Sequence, residues 1–205
     1  MKEKPIIFST EMVKAILDGS KTQTRRVIKP QPGEREYWQP TKGFYVPIEK
    51  ACRYSPYKKG GRFWVRETFT RRTDGIDQIL YKQQYDELVK MFDISDNDRP
   101  DWLPKLPEFP KLKWKPSIHM FRKDSRITLE ITGVRAERLQ DITPEDCIAE
   151  GLVYHEGFSQ WHTSPDTLVF GHKTAFQILW DSINAKRGYG WDTNPFVWVI
   201  EFKRL

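Results

Sequence analysis

Apolar positions along the chain change period several times, and each change marks an element. From Arg126 to Gly133, Ile127, Leu129 and Ile131 alternate with polar residues, the pattern of a half-buried strand. Phe63 to Phe69 predicts a second strand that carries Trp64, Arg66 and Thr68 on one face. A short apolar run at Ile6–Phe8 predicts a buried strand, and Phe196–Phe202 predicts a final strand.

Helical spacing replaces alternation elsewhere. Met12, Val13, Ile16 and Leu17 share one face behind a Ser9-Thr10-Glu11 start, and Gly19 supplies the stop. Thr143-Pro144-Glu145-Asp146 places an N-cap, a first-turn Pro and two acids before a short helix that runs to Glu150 and stops at Gly151. Phe176, Leu179, Trp180 and Ile183 predict a helix over 174–185. Ser20 to Ile28, rich in Thr and Val, predicts a loop running into a strand that ends at Pro30, Pro32 and Gly33. The segment at about 72–116 is different in kind: one amphipathic helix over about 77–92, then a run with Pro100, Pro104, Pro107, Pro110 and Pro116. It predicts an insertion with extended Pro-rich connections.

This mixture of elements implies an α+β chain, and its 205 residues fit a single domain with an insertion. Composition adds to that picture. Hydrophobic residues are 38% and charged residues 30%, with mean hydropathy −0.68, so the aromatic side chains (8 Trp, 8 Tyr, 12 Phe) must supply much of the core. Met1 to Pro5 are followed by no long apolar run, and 18 consecutive apolar residues occur nowhere, so the expectation is a cytoplasmic protein that does not span a membrane. Cys52 and Cys147 are far apart and lack a metal-knuckle spacing, which fits reduced thiols.

A formal charge of +6 favours polyanionic partners without naming one. Its distribution says more. Lys21, Arg25, Arg26 and Lys29 crowd four charges into nine residues, and Lys58-Lys59-Gly60-Gly61-Arg62 is a basic turn feeding the Trp64 and Arg66 strand. Arg25, Arg26, Lys58, Lys59, Arg62 and Arg66 are therefore candidate phosphate contacts, with Trp64 a candidate base-stacking surface.

Crowding also predicts a depressed pKa for Lys21, which would suit it as a base toward the nearby Thr24 hydroxyl. Positions three apart on a regular strand face opposite ways, so that pair requires a turn or bulge. Glu150 stands out because a carboxylate in a last helical turn faces the negative end of the helix dipole; beside Ile148 and Leu152 it is a candidate proton donor. Each residue also has a bland reading, as a surface charge, a strand former and an exposed helix end. The four His lack the i, i+4 arrangement of metal ligands, and neither a Ser elbow, a P-loop nor a dinucleotide fingerprint is found, so neither metal nor cofactor is expected.

The run Asp18-Gly19-Ser20-Lys21-Thr22-Gln23-Thr24-Arg25 resembles the signature of ASCH domains, a helix followed by Gly-x-Lys-Thr-x-Thr-x-Arg. Val197 to Phe202 resembles their closing strand, Gly61 to Glu67 their strand entry, and Ile127 to Leu152 their strand followed by a short acidic helix. The Pro116–Met120 run and the Trp180–Asn184 helix are similar to insertion-bearing members from bacterial prophages. The resemblance implies a PUA-like β-barrel with flanking helices whose cleft takes RNA or a modified nucleoside. In the branch that removes the acyl group of N4-acetylcytidine, a Lys, a Thr three residues on and a Glu form the catalytic set; they match Lys21, Thr24 and Glu150. Arg62, where an acid is common, and the long insertion depart from the pattern. A non-catalytic reader of RNA or modified bases, and a phage-related interaction module built on the insertion, are the alternatives; the oligomeric state is left open.

Overall fold

The computed structural model describes residues 3–32, 37–42, 44–71, 79–92, 113–156, 160–164 and 167–205. In chain order the strands are β1 (Lys4–Ile7), β2 (Gln23–Val27), β3 (Tyr37–Thr41), β4 (Phe44–Pro47), β5 (Arg62–Arg66), β6 (Phe69–Arg71), β7 (Ile79–Tyr81), β8 (Thr128–Arg138), β9 (Val153–His155), β10 (Gln160–Ser164), β11 (Thr167–Phe170) and β12 (Phe196–Arg204). The α-helices are α1 (Thr10–Leu17), α2 (Lys82–Phe92), α3 (Pro144–Ala149) and α4 (His172–Asn184). The fold is mixed α+β. The chain divides into two compact units, one of residues 15–62 and 129–205, the other of residues 3–14 and 63–128.

In the larger unit β12 runs antiparallel between β2 and β8, with Arg25 and Arg135 both opposite Val199, and Val27 and Glu137 both opposite Val197. Phe196 to Ile200 are all buried, which is what an uninterrupted apolar strand demands: cover on both faces. On one face Val197 and Val199 join a core with Leu139, Cys147, Phe176, Trp180 and Trp191. On the other, Trp198 meets the edge of Trp38 from the β3–β4 hairpin at 5.2 Å between ring centres. A β9–β10–β11 antiparallel meander completes the unit and brings Trp161 into the α4 core.

The smaller unit pairs β1 with β5 in parallel, Lys4 opposite Phe63 through Ile7 opposite Arg66. Val65 N–H donates to Ile127 O at 3.0 Å, and the β6–β7 hairpin leads into α2. Trp64, Phe69 and Met120 form its apolar centre, with Ile79 and Tyr81 against them. Arg126 clamps the buried Glu67 through two bonds of 3.0 and 2.8 Å, donates to Gln83 at 3.0 Å and stacks on Tyr81 at 4.2 Å. A fork-to-fork pair with its spare donor satisfied is the arrangement in which a buried carboxylate is tolerated.

Several expectations shift. The helix expected from about 77 begins at Lys82, because Ile79 to Tyr81 pair with β6 instead. The alternating strand does not stop at Gly133 but continues to Arg138, since β12 offers partners for its whole length, with a bulge at Glu201 and Phe202 absorbing the irregularity. Of the Pro-rich segment, residues 72–78 and 93–112 lie outside the described residues. In neither unit do the described strands close into a barrel.

Candidate functional site

The stretch after α1 is fixed by backbone bonds before any side chain acts. Gly19 takes φ +86° and turns the chain; Lys21 N–H then donates to Ala15 O, Thr22 N–H to Ala149 O, and Phe202 N–H to Thr22 O, at 2.8 to 2.9 Å. Lys21 is thus pinned among the ends of α1, α3 and β12. α3 is held by a complete capping box, in which Thr143 Oγ1 accepts from Asp146 N–H and Asp146 accepts from Thr143 N–H. Its last carbonyl belongs to Glu150, the C-cap, and Gly151 follows at φ +91°. A side chain there would be strained, and its Cβ would sit 3.2 Å from Cβ of both Ala15 and Lys21. Glycine therefore serves both the turn and the passage of the Lys21 stem.

The Lys21 side chain is fully enclosed. Its ammonium donates to Glu150 O at 2.7 Å and to Glu150 Oε2 at 2.8 Å, so the cation that a helix C-terminus favours arrives from another segment. Burial pushes the Lys21 pKa below the ordinary value; the Glu150 charge holds it up, and Arg26 and Arg25 add to the depression. The lowered value expected from crowding is present, with desolvation the larger cause.

Arg25 extends the pair into a network. Nη1 reaches Glu150 Oε1 at 3.2 Å, and Nη2 reaches Glu137 Oε1 at 2.6 Å and Asp146 Oδ2 at 2.8 Å, with the guanidinium over the Phe176 ring at 5.5 Å. Arg135, in the same row across β12, donates to Glu137, Asp146, Glu201 and Gln23. Burial pushes the Asp146 carboxyl up, but Arg25 beside it and hydrogen bonds from Arg135 and Gln23 outweigh that and hold it below the usual range. Three cations, Lys21, Arg25 and Arg135, thus face Glu137, Asp146 and Glu150, with Glu201 at the exposed rim.

The structure therefore brings Lys21 and Glu150 into direct contact. Thr24 is also buried, but it lies opposite Ile200 on β2, where alternation turns it to the other face from Gln23 and Arg25. Arg25, a candidate phosphate contact by sequence, directs its terminal nitrogens to carboxylates. Arg26 is half-buried; burial lowers its pKa, and the neighbouring Tyr57 opposes that. Burial in turn raises the Tyr57 hydroxyl.

Lys58, Lys59 and Arg62 are exposed on a turn tied to β8, where Gly60 N–H donates to Ile131 O and Ile131 N–H to Gly61 O, each at 2.8 Å. Gly61 is required because a Cβ would lie 2.8 Å from Lys58 O. Trp64 and Arg66 belong to the smaller unit, where Arg66 stacks on the buried Trp64 at 4.7 Å. Sequence reasoning missed Gln23, Arg135 and Glu137. The available signal is Arg135 and Glu137 recurring at period 2 beyond Gly133 on β8.

Burial pushes the Cys147 thiol up to about 12, so it is an inert core group. Among the described residues no helix is long and apolar enough to cross a membrane, and no cluster of His, Cys, Asp or Glu is arranged to hold a metal ion. Compared with known protein families, characterised proteins and solved structures, the chain gives no match.

Proposed function

We propose that the chain is a PUA-like, ASCH-type protein that takes RNA or a modified nucleoside, and that its reaction is hydrolysis of the amide of N4-acylated cytidine. One observation carries the reading: Lys21, with its pKa depressed by burial, touches the Glu150 carboxylate at 2.8 Å. That ion pair is one proton transfer from a neutral amine beside a carboxylic acid, the base and acid that acyl transfer needs. In the covalent route the Lys21 amine takes the Thr24 hydroxyl proton and the alkoxide attacks the acyl carbon. Glu150 then gives its proton to the departing exocyclic nitrogen, and water releases the acyl group from Thr24. The route requires the Thr24 hydroxyl to come within reach of Lys21 when substrate binds.

A second reading is favoured by the burial of the pair. With the Lys21 side chain 0% and the Glu150 side chain 5% exposed, the network is also suited to a rigid scaffold for a non-catalytic base reader. The two separate on a panel of N4-acylated cytidines followed by chromatography. Hydrolysis is expected, with Lys21→Ala and Thr24→Ala each slowing turnover on the order of 100-fold or more and the double variant little worse than either. Full activity in Thr24→Ala sinks the covalent route. Absence of turnover by the native protein across the panel assigns the reader.

A further inference from the structure

The smaller unit contains a cavity of about 640 Å³, within the range of small-ligand sites of roughly 300–1,000 Å³. Among the described residues, Arg66, Arg71, Lys115 and Lys123 line it together with one carboxylate, Asp124. Asp124 is 3% exposed and gives Oδ1 to Arg71 Nη2 at 2.7 Å, while its Oδ2 has no partner among the described residues. Arg66 Nε is likewise buried without a partner. At the rim Phe121 is 68% exposed, an unusual position for a large aromatic side chain. The site therefore combines cations, an unsatisfied acceptor and a bare aromatic face.

We propose that this cavity binds a nucleotide unit, with its phosphate on the Lys115, Lys123 and Arg66 cations, its base against Phe121, and an N–H of the base edge completing Asp124. The carboxylate decides the class. An inorganic anion would leave Asp124 Oδ2 without a donor, and a phosphotyrosyl ring has no N–H to offer it; a nucleobase joins an N–H edge, a flat face and a phosphate in one molecule. The inference concerns the smaller unit and does not depend on the Lys21 reading.

Isothermal titration of the full chain with AMP, GMP, CMP and UMP tests it, alongside the four nucleosides, inorganic phosphate, phosphotyrosine and a short single-stranded RNA. At least one nucleotide, free or within the RNA, is expected to saturate the protein, with its nucleoside about 10-fold or more weaker. A free nucleotide that saturates makes the ligand a mononucleotide; RNA alone makes it a strand unit. Phe121→Ala and Lys123→Ala alter exposed side chains and are each expected to weaken that binding on the order of 5- to 10-fold. They also separate this site from any nucleoside binding near Lys21. The proposal is overturned by no saturation at millimolar nucleotide or RNA, by binding that both variants leave unchanged, or by phosphate or phosphotyrosine binding as tightly as the best nucleotide.

Discussion

Two clusters of charged side chains, one in each unit, differ in their balance. In the larger, Lys21, Arg25 and Arg135 are matched by Glu137, Asp146 and Glu150, and the capping box makes Asp146 part of a helix start as well as an ion pair. In the smaller, four cationic side chains line a cavity with one carboxylate whose Oδ2 has no partner among the described residues. A matched network stabilises the arrangement of its own groups, because removing any member leaves another charge desolvated. A cluster with an excess of one sign among the described residues leaves groups available to a ligand of the other sign. Local charge density in the sequence does not distinguish the cases: Lys21 to Lys29 is the more basic run, yet its Lys21 and Arg25 are the paired ones.

The comparison breaks most readily at Glu150. Glu150→Ala removes the carboxylate that Lys21 touches and one of the three on Arg25, and should cost about 3–5 kcal/mol in urea unfolding. The double variant Lys21→Met with Glu150→Leu should recover more than half of that loss, since it removes charge and counter-charge together. A double variant as unstable as Glu150→Ala would show that the pair does not act as a unit.

Gly151→Ala comes next, at about 1–3 kcal/mol, because it adds left-handed strain to a close approach against the Lys21 stem. Thr143→Ala, which opens the capping box, should cost about 1 kcal/mol. On the cavity side Lys123→Ala should leave stability within about 0.5 kcal/mol, as expected for an exposed charge among like charges; a larger loss would mean the cavity cations are structural after all.

Acid sharpens the contrast. Asp146 is held below its ordinary pKa in the fold, so its contribution is fully present above about pH 4 and is lost as pH falls further through its folded value. Urea midpoints measured from pH 5 to 2 should fall less steeply for Asp146→Asn than for the native chain. Equal slopes would remove Asp146 from the network's energetics.

The smallest effect concerns the basic turn. Replacing Lys58, Lys59 and Arg62 together should lower the salt dependence of single-stranded RNA binding by about one per lost phosphate contact, and leave folding unchanged. An unchanged slope would place the RNA surface elsewhere.

Sequence alone determined the elements whose signals are local. Ser9 begins α1, Thr143 and Asp146 cap α3, glycines at 19 and 151 take the left-handed turns, and the apolar run at 196–202 is a strand. These depend on backbone sterics, capping bonds and periodicity, which act within a few residues. Tertiary structure decided what Lys21 and Glu150 do. They are 129 residues apart, and the pair exists because Thr22 bonds to Ala149 and Phe202 bonds to Thr22. It also decided that Arg25 faces carboxylates, that Thr24 turns to the other side of β2, and that Asp124 Oδ2 has no partner among the described residues. Desolvation and partner geometry are set by the packing of distant segments, and no window along the chain contains them.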